Sequence, residues 1–258
     1  MTQPRERTVE IGSERFRVWE LGRGEPLGFF GGLRGLPRWP AFLDRLAEHR
    51  RVIAPSLPGF PGGGDHRKLD DTLDWITATL DRIEASGLAG ADWVGASVGG
   101  TLAAEAAALS GTARRLALIA PFGLFDEKEP VRDIWALRLS EMPETLASRP
   151  ELLAAFLEKP ADEDPIEWHI QETRANEAAA RLLWPTGDLG LHKRLHRIRV
   201  PTLLIWGTDD RVVPASYAKR LAAGISGWVE TRSIDGAGHM AEIDQPDAVS
   251  DAVLRFLS

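Results

Sequence analysis

Cysteine is absent from all 258 residues. That excludes a disulfide scaffold, thiolate zinc or iron–sulfur ligation, and a cysteine nucleophile. Positive charge is in deficit, with 31 Lys and Arg against 38 Asp and Glu and a formal charge of −7. Nucleic-acid binding needs a clustered excess of Lys and Arg, so no nucleic-acid partner is expected. No apolar run approaches the roughly 20 residues of a spanning helix. The first residues, Met1 to Thr8, are polar and lack the apolar core of a signal peptide. A soluble, cytoplasmic protein with no membrane partner is the expectation.

What remains is an ordinary globular composition, 43% hydrophobic and 27% charged. The length suits one medium domain, with or without an insertion. Thr8–Ile11 and Arg15–Leu21 alternate on a period near two around Gly12-Ser13, which predicts an antiparallel pair joined by a tight turn. Short apolar runs follow at 26–30, 51–54, 92–95, 116–120, 202–206 and 228–234. Near-continuous apolar strands are what a sheet covered on both faces requires. Helical text lies between them. Leu69, Leu73, Ile76, Leu80 and Ile83 form one stripe ended by Gly87, Thr101–Leu109 is Ala-rich, and Val249, Val253 and Phe256 follow Pro246. The alternation predicts an α/β fold with a mostly parallel sheet and helices on both faces.

From 123 to 199 the alternation stops. Helical stripes broken by prolines replace it: Val131, Ile134, Trp135 and Met142, then Leu152, Leu153, Phe156 and Leu157, then Ile166, Ile170 and Leu182. The segment reads as a helical insertion between two strands, core residues being 1–122 and 200–258. Loops beyond the carboxyl ends of parallel strands are where such folds bind ligands, so it is a candidate lid.

Gly95-Ala-Ser97-Val-Gly99 joins an apolar strand to the Ala-rich helix. Small residues on either side of the serine permit a sharp strand-to-helix turn that lifts its hydroxyl above the sheet. A serine needs a base, and His239, in the loop Gly236-Ala-Gly-His after the last strand, is the best placed of the six His. A third group should orient that imidazole. Asp209 and Asp210 both follow the strand ending at Trp206. Outgoing loops of parallel strands reach one rim, so serine, acid and histidine can converge. His192 and His196 stand four apart, but Lys193, Arg194 and Arg197 surround them, which disfavours a metal.

These motifs resemble the α/β-hydrolase superfamily over essentially the whole chain. The resemblance implies Ser97 as nucleophile, Asp210 as acid and His239 as base, with the insertion as a cap. It implies an oxyanion hole from the backbone N–H groups of Val98 and Gly32, with Leu33 an alternative. Relatives often carry His-Gly ahead of that donor, whereas Phe30 stands here, which leaves the loop's anchoring open. Pocket candidates are Leu33, Arg34, Phe122, Trp135 and Met240. A serine nucleophile excludes the branches that use a carboxylate. The expected activity is hydrolysis of a small to medium, largely apolar ester, with no cofactor and no metal. Carbon–carbon hydrolysis, acyl transfer and a non-catalytic binding role are the alternatives, and monomer and homodimer are both open.

Overall fold

Among the described residues eight strands build one sheet, and their order in it explains where the loops go. A computed structural model describes residues 3–138 and 140–258. Met1 and Thr2, part of the polar N-terminus, lie outside it. The predicted antiparallel pair forms as β1 (Arg5–Ile11) and β2 (Glu14–Leu21), with Gly12 at φ 57° in the turn. Then follow β3 (Pro26–Phe30), β4 (Arg51–Pro55), β5 (Asp92–Ala96), β6 (Leu116–Ile119), β7 (Thr202–Gly207) and β8 (Val229–Ile234). The order is β1-β2-β4-β3-β5-β6-β7-β8. β1 and β2 pair antiparallel, β2 pairs antiparallel with β4, and every other pairing is parallel.

The apolar strand text has a visible cause. Trp93, Leu118 and Leu204 face one core, while Val94, Ala117, Leu203 and Ile205 face the other. Side chains alternate across a strand, so a strand buried on both faces must be apolar throughout. The second core is closed by α1 (Ala41–Ala47) and α9 (Pro246–Phe256), whose Val249 and Val253 are fully buried. The first is closed by α2 (Thr72–Ala85), α3 (Ser97–Ser110) and α7 (Ser216–Gly224).

The helix at α2 departs from the expected stripe. Leu69 precedes it, and Leu73 is 57% exposed. Ile76 and Ile83 of that stripe are buried as expected, and Trp75, Thr79 and Arg82 complete the buried face. Asp71 caps the helix and exchanges hydrogen bonds with Asp74, which sets its start after Leu69.

Between β6 and β7 no strand occurs among the described residues. The segment holds α4 (Met142–Leu146), α5 (Pro150–Leu157) and α6 (Pro165–Leu183), with 3-10 turns at 134–136, 191–193 and 195–197. Val131, read as helical, lies in a loop ahead of them, buried all the same. Leu146, Leu153, Phe156, Ala178 and Leu182 merge into the first core rather than forming one of their own. No described helix is long and apolar enough to cross a membrane.

Candidate active site

β5 runs into α3 with no intervening residue. Ala96 is still extended, at φ −106° and ψ 137°, and Ser97 turns to φ 50°. A side chain in that left-handed region costs on the order of 1–3 kcal/mol, so the surroundings must impose it. They do so by close approach. A Cβ on Gly95 would lie 2.6 Å from the Gly99 carbonyl oxygen, and one on Gly99 would lie 2.3 Å from that of Phe30. Glycine at both places lets strand, turn and helix pack this tightly.

The turn delivers Ser97 Oγ to within 2.8 Å of His239 Nε2. The other ring nitrogen, Nδ1, lies 3.0 Å from Asp210 Oδ2. Both side chains of that pair are fully buried. Asp210 Oδ1 accepts the N–H groups of Val212 (2.8 Å) and Val213 (3.0 Å), which fixes the carboxylate and leaves Oδ2 for histidine. Asp209 does not share the task. Its side chain is exposed, and its backbone N–H donates to Ala237 O at 2.9 Å, tying the acid loop to the histidine loop. With Nδ1–H held by Asp210, Nε2 is free to accept the serine proton. The Phe122 ring meets the imidazole edge-on, centroids 5.2 Å apart.

The loop after β3 passes beside this serine. A Cβ on Gly32 would stand 3.3 Å from Ser97 Cβ. The next residue, Leu33, is buried in the core. Val98, directly after the serine, is fully buried at the start of α3, where free amides and the helix dipole favour negative charge. Phe30 takes no part in polar anchoring. It is fully buried and packs edge-on to Trp93. Arg17 does the anchoring: its Nη2 donates to Leu36 O and to Pro61 O. Burial lowers that guanidinium to about 10.

The sequence profile of the Alpha/beta hydrolase family matches residues 28–252. The chain belongs to this family. The chain is 27% identical to a 2-hydroxy-6-oxo-2,4-heptadienoate hydrolase of Pseudomonas putida strain F1, over 98% of this chain and 96% of that protein. It is 29% identical to a pimeloyl-[acyl-carrier protein] methyl ester esterase of Xanthomonas campestris pv. campestris, over 84% and 88%. Among solved structures it is similar to the 2-hydroxy-6-oxo-6-phenylhexa-2,4-dienoate hydrolase of Rhodococcus sp. strain RHA1. There the TM-score is 0.78 at 18% identity, over 100% of this chain and 99% of that one, a likeness of fold.

Ser97 is 2% exposed and His239 1%, so solvent barely reaches either side chain. A narrow cleft, with about 10 Å³ of free volume, lies between the Gly32 loop and the insertion. Arg34, Pro37, Leu157, Trp168 and Glu172 line it. Of the expected pocket residues only Arg34 reaches this cleft. Phe122 and Met240 are buried beside His239, in space and in chain. Trp135 sits half-buried on a 3-10 turn against the first core, and Trp168 of α6 takes the cleft position. Arg34 has neither hydrogen bond nor ion pair among the described residues, and burial pushes its guanidinium below its usual range. Glu172, across the cleft, opposes that shift.

One further ionisable group sits here. α8 (Ala241–Asp244) follows the histidine loop, and Glu242 on it is buried, with no hydrogen-bond partner for Oε2 among the described residues. Burial drives its carboxyl up to about 7. Nothing in the sequence reading had singled it out.

Proposed function

We propose that this protein is a serine esterase that cleaves small to medium carboxylic esters through an acyl-enzyme on Ser97. The observation that carries the reading is the buried run Ser97 Oγ, His239 Nε2, His239 Nδ1, Asp210 Oδ2, with spacings of 2.8 and 3.0 Å. His239 removes the hydroxyl proton as Oγ attacks the ester carbonyl, and Asp210 stabilises the imidazolium that forms. The oxygen that becomes negative is held by the N–H groups of Val98 and Gly32. Each such donor is worth about 3–4 kcal/mol where one has been removed elsewhere. The imidazolium then protonates the leaving alcohol. Water, deprotonated by the same His239, attacks the acyl carbonyl and restores Ser97. The helices of the β6–β7 insertion act as the cap over this site, and the reaction needs no cofactor.

Hydrolysis of p-nitrophenyl butyrate tests the reading. The wild-type protein should turn over, and Ser97→Ala should lose both turnover and labelling by a fluorophosphonate while its circular dichroism is unchanged. Undiminished hydrolysis by Ser97→Ala defeats the mechanism.

A second reading has its own support. Arg34 offers an unpaired, half-buried guanidinium two residues from Gly32, suited to a carboxylate on the substrate. The relative from Pseudomonas putida acts on a dienoate, which carries one. A hydrolase of carbon–carbon bonds in such acids would use the same serine and histidine. Turnover of a dienoic ring-fission product in preference to any neutral ester would favour it.

A further inference from the structure

The contact between insertion and histidine loop is built around one side chain. Asp244, fully buried on α8, forms no side-chain ion pair among the described residues, the Arg149 Nη1 donating to its backbone O at 3.4 Å. Three backbone N–H groups converge on its carboxylate. Gly238 donates to Oδ2 at 2.7 Å, Ser148 to Oδ2 at 2.9 Å, and Arg149 to Oδ1 at 2.9 Å. Gly238 immediately precedes His239. Ser148 and Arg149 form the corner between α4 and α5. The two backbones are pressed together: a Cβ on Gly238 would lie 2.8 Å from Ser148 N, and Met240 N–H donates to Leu146 O at 2.9 Å.

We infer that Asp244 is a positioning residue that locks the α4–α5 corner of the cap to the histidine loop, so that cap closure and the placing of His239 are one event. A carboxylate is the side chain suited to this. It presents acceptors only, and a buried unmatched N–H is costly. In Asp244→Asn the amide nitrogen must face at least one of the three donors. With the amide oxygen kept where Oδ2 now takes Gly238 and Ser148, the NH₂ faces the Arg149 N–H, and relief of that clash moves the Ser148–Arg149 corner against which Gly238 is packed, and through Gly238 the ring of His239. The segment across the contact, Leu146–Arg149, loses its attachment at the same time. A displacement of about 1 Å at a reacting group costs on the order of 100-fold in rate.

The inference rests on the Ser97–His239 chemistry proposed above, and its test has a part that does not. In Asp244→Asn shown to be folded by circular dichroism, kcat for p-nitrophenyl butyrate should fall at least ~10-fold with KM within about threefold. Hydrogen exchange should accelerate together in 146–149 and 236–241. A residue that merely supports the fold would lower the melting temperature and leave kcat of the folded protein alone. Wild-type kcat in the folded variant, or acceleration confined to one of the two segments, overturns the inference. Should the variant not fold, the wild-type protein carries the test. Phosphonylation of Ser97 should slow exchange in 146–149, and unchanged exchange there is equally fatal. Failure of the esterase reading looks different: the wild-type protein is then inert to ester and phosphonate, while the exchange comparison still stands or falls by itself.

Discussion

Gly99 in the first turn of α3 lies under Phe30 at the end of β3, so close that a Cβ would stand 2.3 Å from the Phe30 carbonyl oxygen. The same Cβ would meet the Gly31 oxygen at 2.4 Å. Neither neighbour is a flexible side chain that could swing away. Gly99→Ala must therefore part strand from helix at the point where Ser97 and the Gly32 loop meet. We expect a loss of stability at or above about 3 kcal/mol, and slower phosphonate labelling in whatever protein folds. Gly111 is the matched control. It caps the same helix at φ 64° with nothing within 4 Å of a Cβ. Gly111→Ala should cost only about 1 kcal/mol of backbone strain and leave labelling intact. Thermal unfolding and labelling rates, measured on both variants, check the contrast.

Asp210 and Asp209 should part company just as sharply. In Asp210→Asn the amide oxygen can keep the N–H groups of Val212 and Val213, which now bond Oδ1. The NH₂ then faces His239 Nδ1 and forces that nitrogen to accept. The ring proton moves to Nε2, which can no longer take the serine proton. Loss of turnover by a factor of about 10³ to 10⁴ is expected, with the melting temperature little changed. Asp209→Asn, exposed, should retain activity within about twofold, an exposed site away from buried partners being tolerant. Steady-state kinetics with p-nitrophenyl butyrate read both.

These contrasts also mark where the sequence was legible. Ser97, His239 and an aspartate after Trp206 could be read because each follows an apolar strand directly, beside glycines that only a tight turn explains. Composition alone left Asp209 and Asp210 open, and only the resemblance to a family pattern selected Asp210. What holds that carboxylate against His239 is the pair of N–H groups of Val212 and Val213, which every residue carries. Arg17 and Asp244 stayed hidden for the same reason, since their partners are backbone groups far away in the chain. Leu73 was misassigned because apolar periodicity gives a face but not which neighbour fills it. Trp75 takes the core position beside Leu73.

Arg34 separates the two substrate readings. Its guanidinium has no partner among the described residues and faces Glu172 across the cleft. If neutral esters are the substrates, Arg34→Gln should change kcat/KM for p-nitrophenyl butyrate by no more than a few-fold. For a substrate with a free carboxylate the same change removes a charge-assisted bidentate contact. A loss of about 10- to 100-fold, carried mainly by KM, is then expected. Paired assays on a neutral ester and on its carboxylate-bearing analogue decide. Equal losses on both would mean that Arg34 supports the loop rather than reads the substrate.

Glu242 should leave its mark on stability as pH changes. Burial lifts its carboxyl from the ordinary 4.5 to about 7 in the folded protein. Between those values the native state binds the proton and the unfolded chain has released it. The slope of unfolding free energy with pH follows protons bound unfolded minus folded, so this group makes it negative. Its contribution is fully present below about pH 4.5 and is lost as pH rises through 7. The span corresponds to about 3 kcal/mol at most. Glu242→Gln keeps the shape without the titration. Urea unfolding of both proteins from pH 5 to pH 9 should therefore give curves that diverge. The variant should gain on wild type steadily with rising pH, and most of the gain should accrue by pH 8. Parallel curves would show that the carboxyl finds water or a partner when it ionises.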